Sequence, residues 1–201
     1  MKIVSCNLDG SVDITGCILS IYPMDNRYAD IILSAVNSLN KQKLPVWSKT
    51  DLFSTVYRGR QENVLDVVKN ACQLSYRNDV HTVYELTISK GCPGDEDADH
   101  FLNEGIQKLS ITEATKNFHV DCKYSFYSFN DAETNMDDIS EIVNMAERCG
   151  LNPQPLHYAT SLSGSIETLF KYFEDALEYA HKHIQHYVLE ATISVNSPSL
   201  K

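Results

Sequence analysis

No stretch of this chain stays apolar for the roughly 20 residues that a membrane-spanning helix needs, so membrane insertion is not expected. Six cysteines (Cys6, Cys17, Cys72, Cys92, Cys122 and Cys149) lie far apart without a C-x-x-C pair, which leaves no zinc-ligand spacing and points to free, mostly buried thiols. Cations are scarce: 17 Lys and Arg stand against 27 Asp and Glu, a formal net charge of −10. Phosphate backbones are held by clustered Lys and Arg, so nucleic acid is excluded as a partner. A neutral or cationic small ligand is easier to accommodate. Gly-rich phosphate loops, G-x-S-x-G elbows and H-E-x-x-H motifs are missing, and no His and Ser spacing marks a triad. Met1 to Gly10 carry one Lys and no apolar run of signal-peptide length, which makes the cytoplasm the expected location.

What the chain does have is a copy of itself. Ser20, Tyr22, Thr55, Gly59, Glu62, His81, Glu85, Thr87 and Ser89 recur 105 positions later as Ser125, Tyr127, Thr160, Gly164, Glu167, His186, Glu190, Thr192 and Ser194. The same gap-free register pairs Cys17 with Cys122, Ala71 with Ala176, Val83 with Val188, Ile88 with Ile193 and Pro93 with Pro198. A period this long means two copies of one small fold rather than a solenoid, because each copy can bury apolar surface of its own. The expected organisation is a first unit over 13–95, an acidic linker over 96–118 with a helical turn, and a second unit over 119–201.

Within the first unit Cys17 to Tyr22 reads as a strand, and Tyr28, Ile31, Ile32, Ala35 and Leu39 recur at helical spacing. Pro45 to Thr50 and Leu52 to Arg58 are β-rich. Val64, Val67, Val68, Ala71 and Leu74 mark a second helix, and Thr82 to Ser89 a last strand. The second unit repeats the order: strand Lys123 to Phe129, a helix with Met136, Ile139, Val143 and Ala146, an extended stretch Pro155 to Leu162, a helix with Leu169, Phe170, Phe173 and Leu177, and strand Tyr187 to Val195. Strand, helix, two strands, helix, strand is the split βαβ, ferredoxin-like pattern. The fold class is therefore α+β: a tandem of two ferredoxin-like, ACT-like units with helices on one face of each antiparallel sheet.

The duplicated residues concentrate on one face of the last strand. His81, Val83, Glu85, Thr87 and Ser89 share a face by the period-two rule, and all five recur, while the opposite face is mostly apolar. Ser20 and Tyr22, or Ser125 and Tyr127, belong to the same polar face if first and last strands are neighbours. Two explanations are open: the open faces of units or subunits pack on each other, or a half-polar face holds a small planar ligand. Gly59 with Glu62, and Gly164 with Glu167, read as helix starts with Gly at the N-cap. Thr55 and Thr160 sit where a side chain can reach a ligand at the sheet edge, and ligand contact and a structural role are both open there. His181, His183 and His186 read as a solvated helix end rather than a metal site.

The strings Ser20-Ile-Tyr-Pro-Met24, Val46-Trp-Ser-Lys-Thr-Asp51, Ser54-Thr-Val56, Arg58-Gly59, Gly91-Cys-Pro-Gly-Asp95, Leu156-His-Tyr-Ala-Thr160 and Val195-Asn-Ser-Pro-Ser199 resemble the YkoF-type thiamin- and hydroxymethylpyrimidine-binding proteins. The resemblance runs from about Gly16 to Ser199. It implies a homodimer with one thiamin or pyrimidine-precursor site per unit, no catalysis, no cofactor beyond the ligand itself, and a role in carrying or salvaging the vitamin precursor. Ile21 and Thr55, with Phe126 and Thr160, are the contacts it implies. Ser20, Tyr22, Ser54, Ser125, Tyr127 and Tyr158 line the neighbourhood. The second unit departs from the pattern, with Ser125-Phe-Tyr-Ser-Phe129 and no Trp-Ser-Lys-Thr-Asp equivalent. Mid-strand Glu85 and Glu190 offer carboxylates to an aminopyrimidine or a thiazolium charge on physical grounds alone. An ACT-like regulatory module acting through a partner protein is the alternative, and an enzyme using Glu85 or His81 as acid and base a third reading.

Overall fold

Alternating burial along Thr15–Pro23 forms β1, in which Thr15, Cys17 and Leu19 are buried and Ile18 and Tyr22 face outward. The computed structural model describes residues 14–90, 96–114, 116–129 and 135–200. After β1 come α1 (Tyr28–Asn40), β2 (Trp47–Thr50), β3 (Thr55–Gly59), α2 (Gln61–Ser75) and β4 (Thr82–Lys90). A short α3 (Glu96–Asp99) and two 3₁₀ turns, His100–Asn103 and Thr112–Ala114, lead to the second copy. That copy comprises β5 (His119–Ser128), α4 (Asn135–Arg148), β6 (Gln154–Leu156), β7 (Ala159–Ser165), α5 (Ile166–His183) and β8 (Tyr187–Val195), before a final 3₁₀ turn at Pro198–Leu200. Among the described residues no helix is long and apolar enough to cross a membrane. Gly91 to Asp95 lies outside the described residues, as do Cys6 and Cys92.

The two ferredoxin-like units share one sheet. Its strand order is β2-β3-β1-β4-β8-β5-β7-β6, and every neighbouring pair is antiparallel. β4 and β8 join the halves in a register that sets Glu85 opposite Thr192, Leu86 opposite Ala191 and Thr87 opposite Glu190. Leu86 and Ala191 are the same position in the two copies, so a pseudo-twofold axis passes through that pair. Buried side chains of both copies form one continuous core beneath the joined sheet, with Tyr84, Leu86 and Ile88 from β4 beside Tyr187, Leu189 and Ile193 from β8. Burial pushes the thiols of Cys17, Cys72 and Cys122 well above their usual range.

The helices meet across the same seam. Glu167 at the start of α5 accepts from Gln73 Nε2 of α2 at 2.7 Å and pairs with Lys69 at 3.3 Å. It therefore does not reach back to its own helix start. The expected glycine caps are also displaced by one residue: Arg60 stands at the N-cap of α2 and Ser165 at that of α5, where the Ser165 hydroxyl accepts from the Thr168 N–H at 3.1 Å. The glycines serve packing. A β-carbon on Gly59 would lie 3.4 Å from Val46 Cγ1 and 3.5 Å from the Pro45 carbonyl, and one on Gly164 only 2.6 Å from Leu151 Cδ2. Val46 and Leu151 are themselves repeat equivalents, so the same close approach is built twice.

The connecting segment packs as a strap rather than running free as a linker. In α2 the buried residues run almost unbroken from Asn63 to Ser75 and include Asn63, Asp66, Asn70 and Gln73. Those four lie at helical spacing on one stripe. Asn63 Nδ2 donates to the Gly105 carbonyl at 3.1 Å and its Oδ1 accepts from the Gln107 N–H at 2.9 Å. Asp66 accepts from the Leu109 N–H at 2.7 Å, and Gln73 Nε2 donates to the Lys116 carbonyl at 2.9 Å. The stripe satisfies a backbone that has no sheet partner of its own. At the equivalent positions α5 carries Thr168, Lys171, Asp175 and Glu178, with an exposed Lys171–Asp175 pair at 2.7 Å. Asn63→Ala should therefore destabilise the chain by about 1–3 kcal/mol, the cost of orphaning buried polar groups, whereas Lys171→Ala should cost under ~0.5 kcal/mol. Urea unfolding of the two variants, with proteolysis of the 100–114 segment as a local readout, tests this contrast.

Candidate functional site

The pairing of β1 with β3 stops at Leu19 opposite Thr55, yet β1 continues to Pro23 alongside β4. In the second copy β5 pairs with β7 only as far as Tyr124 opposite Thr160 and continues beside β8 to Ser128. Each first strand thus runs on past its neighbour, and a cavity opens at that edge, roofed by a helix and closed by a hairpin tip.

The first cavity has a volume of about 180 Å³. Ser20 and Ile21 of β1, Ile32 and Val36 of α1, the Asp51–Ser54 turn and Thr55 surround it. The second, of about 220 Å³, is lined by Ser125, Phe126 and Tyr127 of β5, Ile139 and Val143 of α4, and Leu156, Tyr158, Ala159 and Thr160. Ile32, Val36, Ile139 and Val143 are only half-buried. That explains why the helices' apolar faces are wider than their buried stripes, Ile31, Ala35 and Leu39 in α1 and Ile142 and Ala146 in α4. Tyr28 and Met136, read as core from their spacing, are exposed at the helix starts.

The hairpin tips are held by the duplicated serines. Ser20 Oγ donates to the Phe53 carbonyl at 3.1 Å, and Ser125 Oγ donates to the Tyr158 carbonyl at 2.9 Å. Phe53 and Tyr158 are repeat equivalents and carry exposed rings, at 80 % and 98 %. Tyr158 also has a φ of 66°, a backbone region that costs a bulky residue energy without any burial here to offset it. The tips differ in detail. Leu52 to Ser54 forms a turn rather than the expected strand start, because Asp51 Oδ1 accepts from the N–H groups of Phe53 at 2.8 Å and Ser54 at 2.9 Å. These bonds hold the Asp51 carboxyl below its usual range, the Phe53 N–H contributing most. Thr55 Oγ1 lies 3.0 Å from Thr50 Oγ1, whereas Pro155 stands opposite Thr160.

Of the residues singled out from the sequence, the structure gathers Ser20, Ile21, Ser54 and Thr55 around one cavity and Ser125, Phe126, Tyr127, Tyr158 and Thr160 around the other. Tyr22 faces outward on the sheet at 46 % exposure. Glu85 and Glu190 stand elsewhere: they line neither cavity and flank the pseudo-twofold axis on the open face of the sheet. On that face His81 Nε2 lies 3.2 Å from Ser194 Oγ, and near the seam's other end His186 Nδ1 lies 2.6 Å from the Lys90 carbonyl. His183 is likewise engaged, its Nδ1 2.8 Å from the Tyr179 carbonyl. Sequence reasoning missed Asp51, Phe53 and the four half-buried helix residues. The 105-residue offset already placed Phe53 on Tyr158, and an Asp two and three residues before backbone donors is a turn signature.

Both copies of the chain resemble known proteins. The family model described as the YKOF-related family matches residues 14–95 and again 119–200. A Bacillus subtilis (strain 168) protein described as "Putative HMP/thiamine-binding protein YkoF" is 32 % identical over 194 residues, covering 96 % of this chain and 95 % of its own length. A solved Thermotoga maritima structure, described as a "putative thiamine biosynthesis/salvage protein", shares 13 % identity over 39 % of this chain and 84 % of its own, with a TM-score of 0.37. With the family match falling twice, on the two ferredoxin-like copies, and one relative aligned along almost the entire length, the chain belongs to the YKOF-related family.

Proposed function

We propose that this protein binds thiamin or its hydroxymethylpyrimidine precursor without transforming it, one molecule per repeat, and carries the ligand in vitamin B1 salvage or transport in the cytoplasm. The observation that carries this reading is the repetition of one cavity at equivalent positions: an overrunning strand edge, a threonine, apolar helix residues and a serine-pinned aromatic tip. The relative's description as HMP/thiamine-binding supports the choice of ligand.

The chemistry fits a substituted aromatic ring. Volumes near 200 Å³ fall below the ~300–1,000 Å³ of pockets for drug-sized ligands, so each cavity suits a single ring while a longer ligand projects past the tip. Backbone groups on the overrunning edge and the Thr55 or Thr160 hydroxyl can read an aminopyrimidine edge. Ile32 and Val36, or Ile139 and Val143, hold its faces. Two copies of one site do not by themselves assemble separate acid and base roles, which favours carriage over catalysis.

A homodimer completes the reading, seated on the open face of the eight-stranded sheet. Ile18 and Tyr22 on β1 and Tyr127 on β5 are 42–46 % exposed there, large apolar side chains on both halves of the face that a second copy would cover. Sedimentation should return twice the chain mass, and Tyr22→Glu with Tyr127→Glu should return the monomer. A monomeric unmodified chain would remove the dimer from the proposal.

Calorimetric titration with thiamin and hydroxymethylpyrimidine should give two ligands per chain. Thr55→Val with Thr160→Val should weaken both sites by about ten-fold each, the order expected for one lost hydrogen bond to a buried polar ring edge. Unchanged affinity in the double variant would sink the assignment of the cavities.

A further inference from the structure

The two cavities differ in one chemically decisive way. Asp51 is the one charged side chain among the described residues lining the first, and its repeat equivalent in the second is Leu156. None of the described residues around the second cavity is charged. We infer that Asp51 makes the first-repeat site selective for a ligand that carries positive charge beside its aromatic ring, while the second-repeat site accepts charged and neutral ring ligands alike.

This inference rests on the thiamin and pyrimidine reading and deepens it. Asp51 sits on the hairpin tip at the mouth of a cavity sized for one ring, where the rest of a longer ligand must emerge. In thiamin that emerging part is the thiazolium cation. The carboxylate is fixed in place, since one oxygen accepts two backbone N–H groups within the turn. A carboxylate offers about four acceptor positions, so these bonds position it without using it up, and its full negative charge stays at the rim. Phe53, two residues on, also lines this cavity and carries an exposed aromatic ring, a second element that favours a cation. With Leu156 in its place, no described residue lining the second cavity supplies a matching charge.

Asp51→Asn is the discriminating change, because an asparagine oxygen can still accept the two turn N–H groups while the charge is gone. The variant and the unmodified residue are compared in chains carrying Ala159→Phe, a bulky replacement at a residue lining the second cavity, with loss of one of the two thiamin sites as the check that it blocks that cavity. The probes are thiamin and its neutral isostere deazathiamin, in which a carbon replaces the thiazolium nitrogen. At low salt Asp51→Asn should weaken thiamin by about three-fold or more, with deazathiamin changed less than about two-fold, as expected for one rim charge pair. Equal loss for both probes would assign Asp51 to turn structure alone and overturn the inference, as would no loss for either. In the chain with both cavities intact, thiamin affinity at one of the two sites should fall with added salt and deazathiamin affinity should not. A flat salt response would overturn the inference without touching the functional reading. Failure of the chain with both cavities intact to bind either probe would overturn that reading and the inference with it.

Discussion

The ladder between β4 and β8 is the interaction on which the rest of the molecule depends. Each repeat on its own would offer a four-stranded sheet with two helices on one side, close to the smallest unit that can bury enough apolar surface. Pairing the two nine-residue strands merges both cores, brings α2 against α5 and fixes the orientation of the two cavities with respect to one another. The register also explains the duplicated polar residues. Because the axis passes through Leu86 and Ala191, each glutamate faces the other copy's threonine, so Glu85, Thr87, Glu190 and Thr192 form a reciprocal set on the open face. Their recurrence follows from the symmetry of the seam as much as from any ligand.

Within this near-symmetric frame the copies have diverged where the surroundings differ. α2 lies under the strap and carries amides and a carboxylate that satisfy the strap's backbone, while α5 has charged side chains, Lys171, Asp175 and Glu178, at three of the four equivalent positions. The hairpin tips diverge in the same manner: Asp51 shapes one turn by hydrogen bonding, and a left-handed Tyr158 shapes the other. Symmetry holds in the buried sheet, where any change is felt by two strands. It relaxes at tips and outer helix faces, where substitutions cost little.

Much of the fold was legible because the signals were local. Period-two alternation in Thr82–Lys90 and Tyr187–Val195 and helical spacing in the four long helices located the elements, and the repeat confirmed each against its copy. The seam was not legible, since the pattern of a half-polar strand says which face is buried and nothing about which edge is paired. The glycines were misread for a related reason: Gly59 and Gly164 precede helices, as caps do, but their constraint comes from Val46 and Leu151, distant in sequence. For the site, Ser20, Ile21, Thr55 and their equivalents were found through duplication and resemblance. Asp51 escaped because it is not duplicated, and Glu85 drew attention because it is.

Joining the copies has a consequence for how the chain behaves before and after it folds. A nine-residue strand with unpaired amides along one side is a template for adding further strands, and each half-sheet would present such an edge at β4 or β8. In the joined sheet those edges quench each other, and the outermost positions fall to β2, four residues long, and β6, three residues long with Pro155 at its centre. Short borders, one of them interrupted by a residue that cannot donate, give a neighbouring chain little to pair with. Joining the two copies thereby also covers the long edge at which either copy alone would be most open to adding a strand.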